Sequence, residues 1–250
     1  MTIERDCFWF KTGTGYLIYY RKGEGVTVER EPRADPAEEQ LWLNGSTYAA
    51  IAAINGYLPV HASAVAWRGR AYAFAGPSGA GKSTLAAALG HHGLPLVCDD
   101  TMILDTASAS QIICLPGHKR LKVKEDTLSL VDLKPQEKVA AMVSKYYAEP
   151  PGGTCQQALP LAKIFYLSKQ STLNVERIAG AQRIVCLNDS HYTAQLYALA
   201  RGDEPAARLS HLGAIAQRIA MYRLGRPVDC SRFEDTTQAI ARRIKQSPAR

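Results

Sequence analysis

The sequence predicts an α/β fold built around a phosphate-binding loop, with a small β-rich appendage at residues 1–58 and a main domain at residues 59–247. Three observations predict it. Gly76-Pro77-Ser78-Gly79-Ala80-Gly81-Lys82-Ser83 fits the G-x-x-x-x-G-K-[ST] pattern at every fixed position. The apolar run Ala71–Ala75 ahead of it has strand character, and Thr84–Leu89 behind it is rich in helix formers and stops at Gly90. A second apolar strand, Leu94–Cys98, follows at once, so strand, helix and strand form a right-handed unit with adjacent or near-adjacent parallel strands.

Residues 7–30 alternate and turn at Lys22-Gly23-Glu24-Gly25 like a hairpin. Residues 32–36 are a loop, and Glu38–Leu43 reads as a further short strand. Ser46 or Thr47 caps a short helix that ends at Gly56. His61–Trp67 is a strand that turns at Arg68-Gly69-Arg70 into the strand feeding the loop. Pairing the two about that turn brings His61 beside Ala75–Pro77. After Asp99-Asp100, a strand, turn and strand cover Met102–Cys114. Residues 116–124 form a basic loop, residues 126–148 are partly helical, and Glu149–Thr154 breaks the chain. Strands are expected at Ala162–Leu167, Leu173–Ile178 and Tyr222–Leu224. Helices are expected at Ala179–Tyr197, Ala206–Ala220 and Phe233–Lys245, with a disordered tail after Ser247.

Composition narrows the classes. A chain of 250 residues buries most of its apolar surface without staples. It has no apolar run of about 18 residues, so no membrane span is expected. The charged opening Met1–Asp6 has no apolar stretch behind it, so no secretory signal is expected. The six cysteines are scattered without metal-ligand spacing, which reads as reduced thiols in the cytoplasm. The net charge of +7 suits an anionic partner such as a nucleotide, but it is concentrated near the C-terminus in the manner of a helix surface, not a nucleic-acid patch.

Phosphoryl transfer needs charge neutralisation, a bound Mg²⁺ and a group that accepts the nucleophile's proton. The candidate nucleotide contacts are Gly76, Pro77, Ser78, Gly79, Ala80, Gly81, Lys82, Ser83 and Thr84, for ATP. Glycines let the loop amides converge on an anion, and the helix behind adds its dipole. Lys82 meets the β- and γ-phosphates, and the Ser83 hydroxyl can ligate Mg²⁺. The pair Asp99-Asp100, at the carboxyl end of its strand, opens on the same crevice. Adjacent strand residues point to opposite faces, so one aspartate faces the phosphates unless the strand bends. His61 could orient an aspartate or stabilise charge beside it.

These three stretches, His61-Ala62-Ser63-Ala64-Val65, Gly76–Ser83 and Leu96-Val97-Cys98-Asp99-Asp100, resemble the catalytic domain of HPr kinase/phosphorylase. The resemblance covers residues 61–105 and implies the HPr kinase and phosphoenolpyruvate carboxykinase type of nucleotide-binding fold. It implies Asp99 as general base, Asp100 with Mg²⁺ or in support, and His61 as a catalytic histidine. The E-[VI]-R-G-[LI]-G signature of that family, with its metal-binding glutamate, is replaced here by Pro116–Val123. The shorter chain looks more like stand-alone relatives, some of them lasso-peptide kinases. That implies ATP-dependent phosphorylation of a serine hydroxyl on a peptide or small protein, a lasso-type precursor above all. The other readings are a small-molecule kinase and a nucleotide-binding switch without transfer chemistry. A homo-oligomer is left open.

Overall fold

The computed structural model describes residues 1–141, 143–188, 191–202 and 205–247. The chain opens with a four-stranded antiparallel sheet, β1 (Thr2–Ile3), β2 (Cys7–Lys11), β3 (Tyr16–Arg21) and β4 (Gly25–Arg30). A helical stretch follows: α1 (Pro36–Trp42), a π-helical turn at Leu43–Thr47, and α2 (Tyr48–Ile54). The expected strand at Glu38–Leu43 is therefore a helix. Its start signal is local: the Asp35 carboxylate accepts from the Ala37 amide at 3.0 Å, Pro36 takes the first turn, and Glu38 and Glu39 face the dipole.

Next come β5 (Leu58–Val60), β6 (Ala62–Trp67), β7 (Arg70–Ala75), α3 (Lys82–His91), β8 (Leu96–Cys98), β9 (Met102–Asp105) and β10 (Ile113–Leu115). A three-stranded sheet and a short helix lie across from the phosphate loop: β11 (Leu121–Lys124), α4 (Glu125–Leu130), β12 (Lys138–Ala140) and β13 (Val143–Ala148). Residues 126–148, expected to be partly helical, hold most of α4 and two short strands, β13 pairing with β11 on one side and β12 on the other. The chain ends with β14 (Leu159–Lys169), β15 (Asn174–Arg177), α5 (Gln182–Leu187), α6 (Tyr192–Ala200), α7 (Pro205–Arg218), β16 (Ala220–Arg226), a 3₁₀ turn at Cys230–Arg232, and α8 (Phe233–Lys245). The helix expected over Ala179–Tyr197 is thus two helices. The expected tail after Ser247 lies outside the described residues.

Among the described residues, the central sheet has nine strands and runs β5-β9-β10-β14-β7-β6-β8, with β16 and β15 continuing from β14. The β6–β7 hairpin brings the His61 end to Ala75, as expected, with Ala62 facing Ala75 and Val65 facing Tyr72. Strand β6 is antiparallel to both β7 and β8, so the latter two run parallel with one strand between them. Strands β7, β14 and β16 also run parallel. The carboxyl ends of β7, β8 and β16 therefore share one edge of the sheet, where ligands bind in open α/β folds.

Helix α3 is apolar on nearly all sides because it lies between the sheet and α8. Leu85 and Leu89 are fully buried, each contributing about 1.5–3 kcal/mol. The aromatic face of the N-terminal sheet, with Phe8, Phe10, Tyr16 and Ile18, joins α2 and the central sheet in one apolar cluster. Among the described residues, no helix is long and apolar enough to cross a membrane.

Candidate functional site

At that edge lies a cavity of about 590 Å³ with two facing walls. The first is the phosphate loop. Gly79 and Gly81 take φ values of +77° and +85°, which L side chains rarely adopt, and Gly81 hands the chain to α3. The loop and first helical turn put Ser78, Lys82, Ser83 and Thr84 on the cavity. Lys82 is buried, and its Nζ donates to the carbonyls of Gly76 and Pro77 at 2.9 and 3.1 Å, arching over the loop.

The two aspartates part company. Asp99 is 3 % exposed and does not line the cavity. Its Oδ1 accepts from the Ser63 hydroxyl at 2.6 Å and its Oδ2 from the Lys122 amide at 3.0 Å, tying β6, β8 and β11 together. Asp100 turns the other way. Its φ of +68° bends the chain sharply at the strand end, a conformation aspartate tolerates better than most residues. Its side chain, 20 % exposed, lines the cavity. Lys122 Nζ stands 3.3 Å from Oδ2, and His61 Nδ1 stands 3.7 Å from Oδ1. Burial alone would raise the Asp100 pKa, but Lys122, His61 and Lys145 outweigh it, so the carboxyl sits below the ordinary carboxylate range. Asp100 is ionised at neutral pH.

His61 stands where the hairpin argument put it. Its Nδ1 lies 2.9 Å from the Asp100 carbonyl, which only accepts, so Nδ1 carries the ring proton. Burial, then Lys82, hold its pKa below the usual histidine value despite Asp100, and the ring is neutral at pH 7. Its other side stacks on His191 at the start of α6, with centroids 3.6 Å apart and planes 13° apart.

The structure therefore brings Lys82, Ser83, Thr84, His61 and Asp100 together on one cavity and leaves Asp99 behind its wall. It also adds Arg226 and Lys145, which the sequence reading did not single out, and two lysines of the basic stretch 116–124, whose last four residues are strand β11 and not loop. Arg226, the last residue of β16, reaches into the mouth of the phosphate loop. Its Nη2 donates to the Ala80 carbonyl at 2.7 Å, and a Cβ built on Gly81 would fall 2.0 Å from that nitrogen. Burial lowers its pKa somewhat, and Nε is buried without a hydrogen-bond partner among the described residues. Lys122, Lys124 and Lys145 project from β11 and β13 into the cavity. Gly117 makes that possible: a Cβ there would fall 2.6 Å from Cys98 Cβ, so only glycine lets residues 116–120 run close beside β8 and deliver β11 next to Asp99.

A triphosphate fits the first wall by its donors: glycine-loop amides, the amino end of α3, Lys82 and Arg226. Among the described residues, no group of three or more His, Cys, Asp or Glu could hold a metal ion. Mg²⁺ would draw on hard oxygens of the cavity and on the nucleotide itself. Lys122 already stands against Asp100, so of the two expected ligands Ser83 offers the oxygen that would hold the ion.

No family profile matches the chain, and no curated protein matches it. Among solved structures it is similar to the Hpr(Ser) kinase/phosphatase from Coxiella burnetii, at 13 % identity over 75 % of this chain and 88 % of that one, with a TM-score of 0.39.

Proposed function

We propose that this chain is an ATP-dependent kinase that phosphorylates a hydroxyl of a peptide or small protein, with Asp100 rather than Asp99 as the base. The observation that carries this reading is an ionised carboxylate facing the phosphate loop across one cavity. A hydroxyl placed between them would give its proton to Asp100 as its oxygen bonds to the γ-phosphorus and the bond to the β–γ bridging oxygen breaks. A low carboxyl pKa makes a weak base, but the loose transition state of phosphoryl transfer asks little of it beyond orientation. His61 and Lys122 hold the carboxylate in place. Lys82 and Arg226 would balance charge on the transferring group. Bound Mg²⁺ would supply further neutralisation of the phosphates.

Residues 1–58 buttress the domain at residues 59–247 in this reading. The acceptor class follows the resemblance of residues 61–105, which implies a serine of a lasso-type precursor peptide. The test is incubation with ATP, Mg²⁺ and serine peptides, read by mass spectrometry for one added phosphate. Asp100→Asn is expected to lower kcat by about 10²–10⁴-fold with ATP still bound. An unchanged kcat in Asp100→Asn would remove Asp100 as the base, and no phosphate on any acceptor while ATP still binds would leave only a nucleotide-binding switch.

A further inference from the structure

One feature of the second wall is unexplained by the triphosphate. Lys124 and Lys145 are directly opposite each other across the β11–β13 ladder. Like charges in that position repel and weaken the pair. Both line the cavity, and among the described residues neither has a carboxylate within ion-pair distance. The nearest carboxylates in sequence are Glu125 and Asp126; of the two only Asp126 lines the cavity, and its Oδ1 accepts from the Thr127 hydroxyl at 3.2 Å. Lys122 lies on the same face of β11, two residues before Lys124, and is spent on Asp100 at 3.3 Å. The pair thus continues the wall that holds the base, one strand repeat beyond Lys122.

We propose that Lys124 and Lys145 form a binding site for an anionic group of the acceptor, a carboxylate set about 7 Å from the accepting hydroxyl, the span of two residues along a strand. The inference rests on the kinase reading. With the hydroxyl beside Asp100 and Lys122, a group one strand repeat further along meets Lys124 and Lys145. In an extended peptide, a side chain two positions from the serine lies at that distance on the same face. A small hydroxy acid of matching length offers the same chemistry.

The experiment measures peptide binding to the full chain saturated with a non-hydrolysable ATP analogue and Mg²⁺. Serine peptides carry glutamate or glutamine two positions to either side. A separate arm uses hydroxy acids and their amides. The acidic member of a pair is expected to bind about tenfold tighter, and the arm in which this holds identifies the source of the carboxylate. Lys145→Glu would pair with Lys124, so the variant is expected to melt no lower than the parent and yet lose the preference for acid. Equal binding of both members of every pair, or no binding of either, overturns the proposal. So does a parallel loss of analogue affinity in Lys145→Glu, which would assign these lysines to the triphosphate. Tight acidic binding without phosphate transfer from ATP would leave the anion site standing and remove the kinase reading.

Discussion

The two walls of the cavity are built on different principles. The phosphate-loop wall is one continuous stretch, Gly76–Thr84, whose shape follows from glycine positions and the helix behind it. The opposite wall is assembled from Asp100, Lys122, Lys124 and Lys145, which three separate strands bring together. A local wall is specified by residue order alone. An assembled wall depends on pairing, and its parts have no common signature in the sequence. The difference also divides the chemistry, because the local wall would grip the donor while the assembled wall would choose and activate the acceptor.

Arg226 is the exception, an assembled residue on the local wall, and it gives the sharpest test of the division. Its guanidinium sits against Ala80 and Gly81 with no carboxylate paired to it among the described residues. Arg226→Gln is expected to lower kcat by about 10²-fold, in the manner of a lost transition-state donor. Arg226→Lys should not restore it, because a point charge cannot reproduce the planar fork. Steady-state turnover with ATP and a peptide acceptor decides this. Full activity in Arg226→Gln would make the arginine a mere strut for the loop.

The aspartates test the comparison from the other side, with a smaller effect of a different kind. Asp99 holds β6 and β11 to β8 through Ser63 and the Lys122 amide. Asp99→Ala would leave both donors buried and unpaired, costing about 1–3 kcal/mol each. The melting temperature should fall by several degrees, at about 2–4 °C per kcal/mol for a chain of this size. Peptide kcat per folded molecule should change far less than in Asp100→Asn. The reverse pattern, with Asp99 controlling turnover and Asp100 controlling stability, would restore the assignment that the family resemblance implies.

These outcomes bear on how much could be read from the sequence. The loop, its flanking strand and helix, and the place of His61 were legible because each depends on neighbours within one hairpin or one turn. Strand alternation could not decide how many of the aspartates face the cavity, because β8 ends at Cys98. The backbone bend at Asp100, with φ +68°, turns the two apart, and no residue pattern announces it. Lys122 was legible only as part of a basic stretch able to reach a ligand, and Lys145 was not legible at all, since β13 reaches the cavity only by pairing with β11. Arg226 left a usable trace: an arginine closing a late strand, just before Pro227, belongs at a carboxyl edge if that strand is parallel to β7. The strand read at Glu38–Leu43 failed for the opposite reason, because Asp35-Pro36 is a helix start visible in the sequence itself.

The weakest effect expected is on pH, and it separates the histidines from the base. His61, His118 and His211 are all held below the usual histidine pKa, mainly by burial. The folded state then binds fewer protons than the unfolded chain, whose histidines titrate near about 6.5. Their contribution to stability is full above that pH and is lost as pH falls towards the folded values. Asp100 is also depressed, but its loss falls in a separate window, below about 3.9 where unfolded aspartates titrate. Melting temperature should therefore decline on acidification from pH 7.5 to 5.5, before any carboxylate is involved. His61→Gln should flatten that slope, and thermal melts across the range would show it. A slope unchanged by His61→Gln would mean that the ring beside Asp100 is as easily protonated in the folded chain as in the unfolded one, and that burial and Lys82 do not hold it neutral.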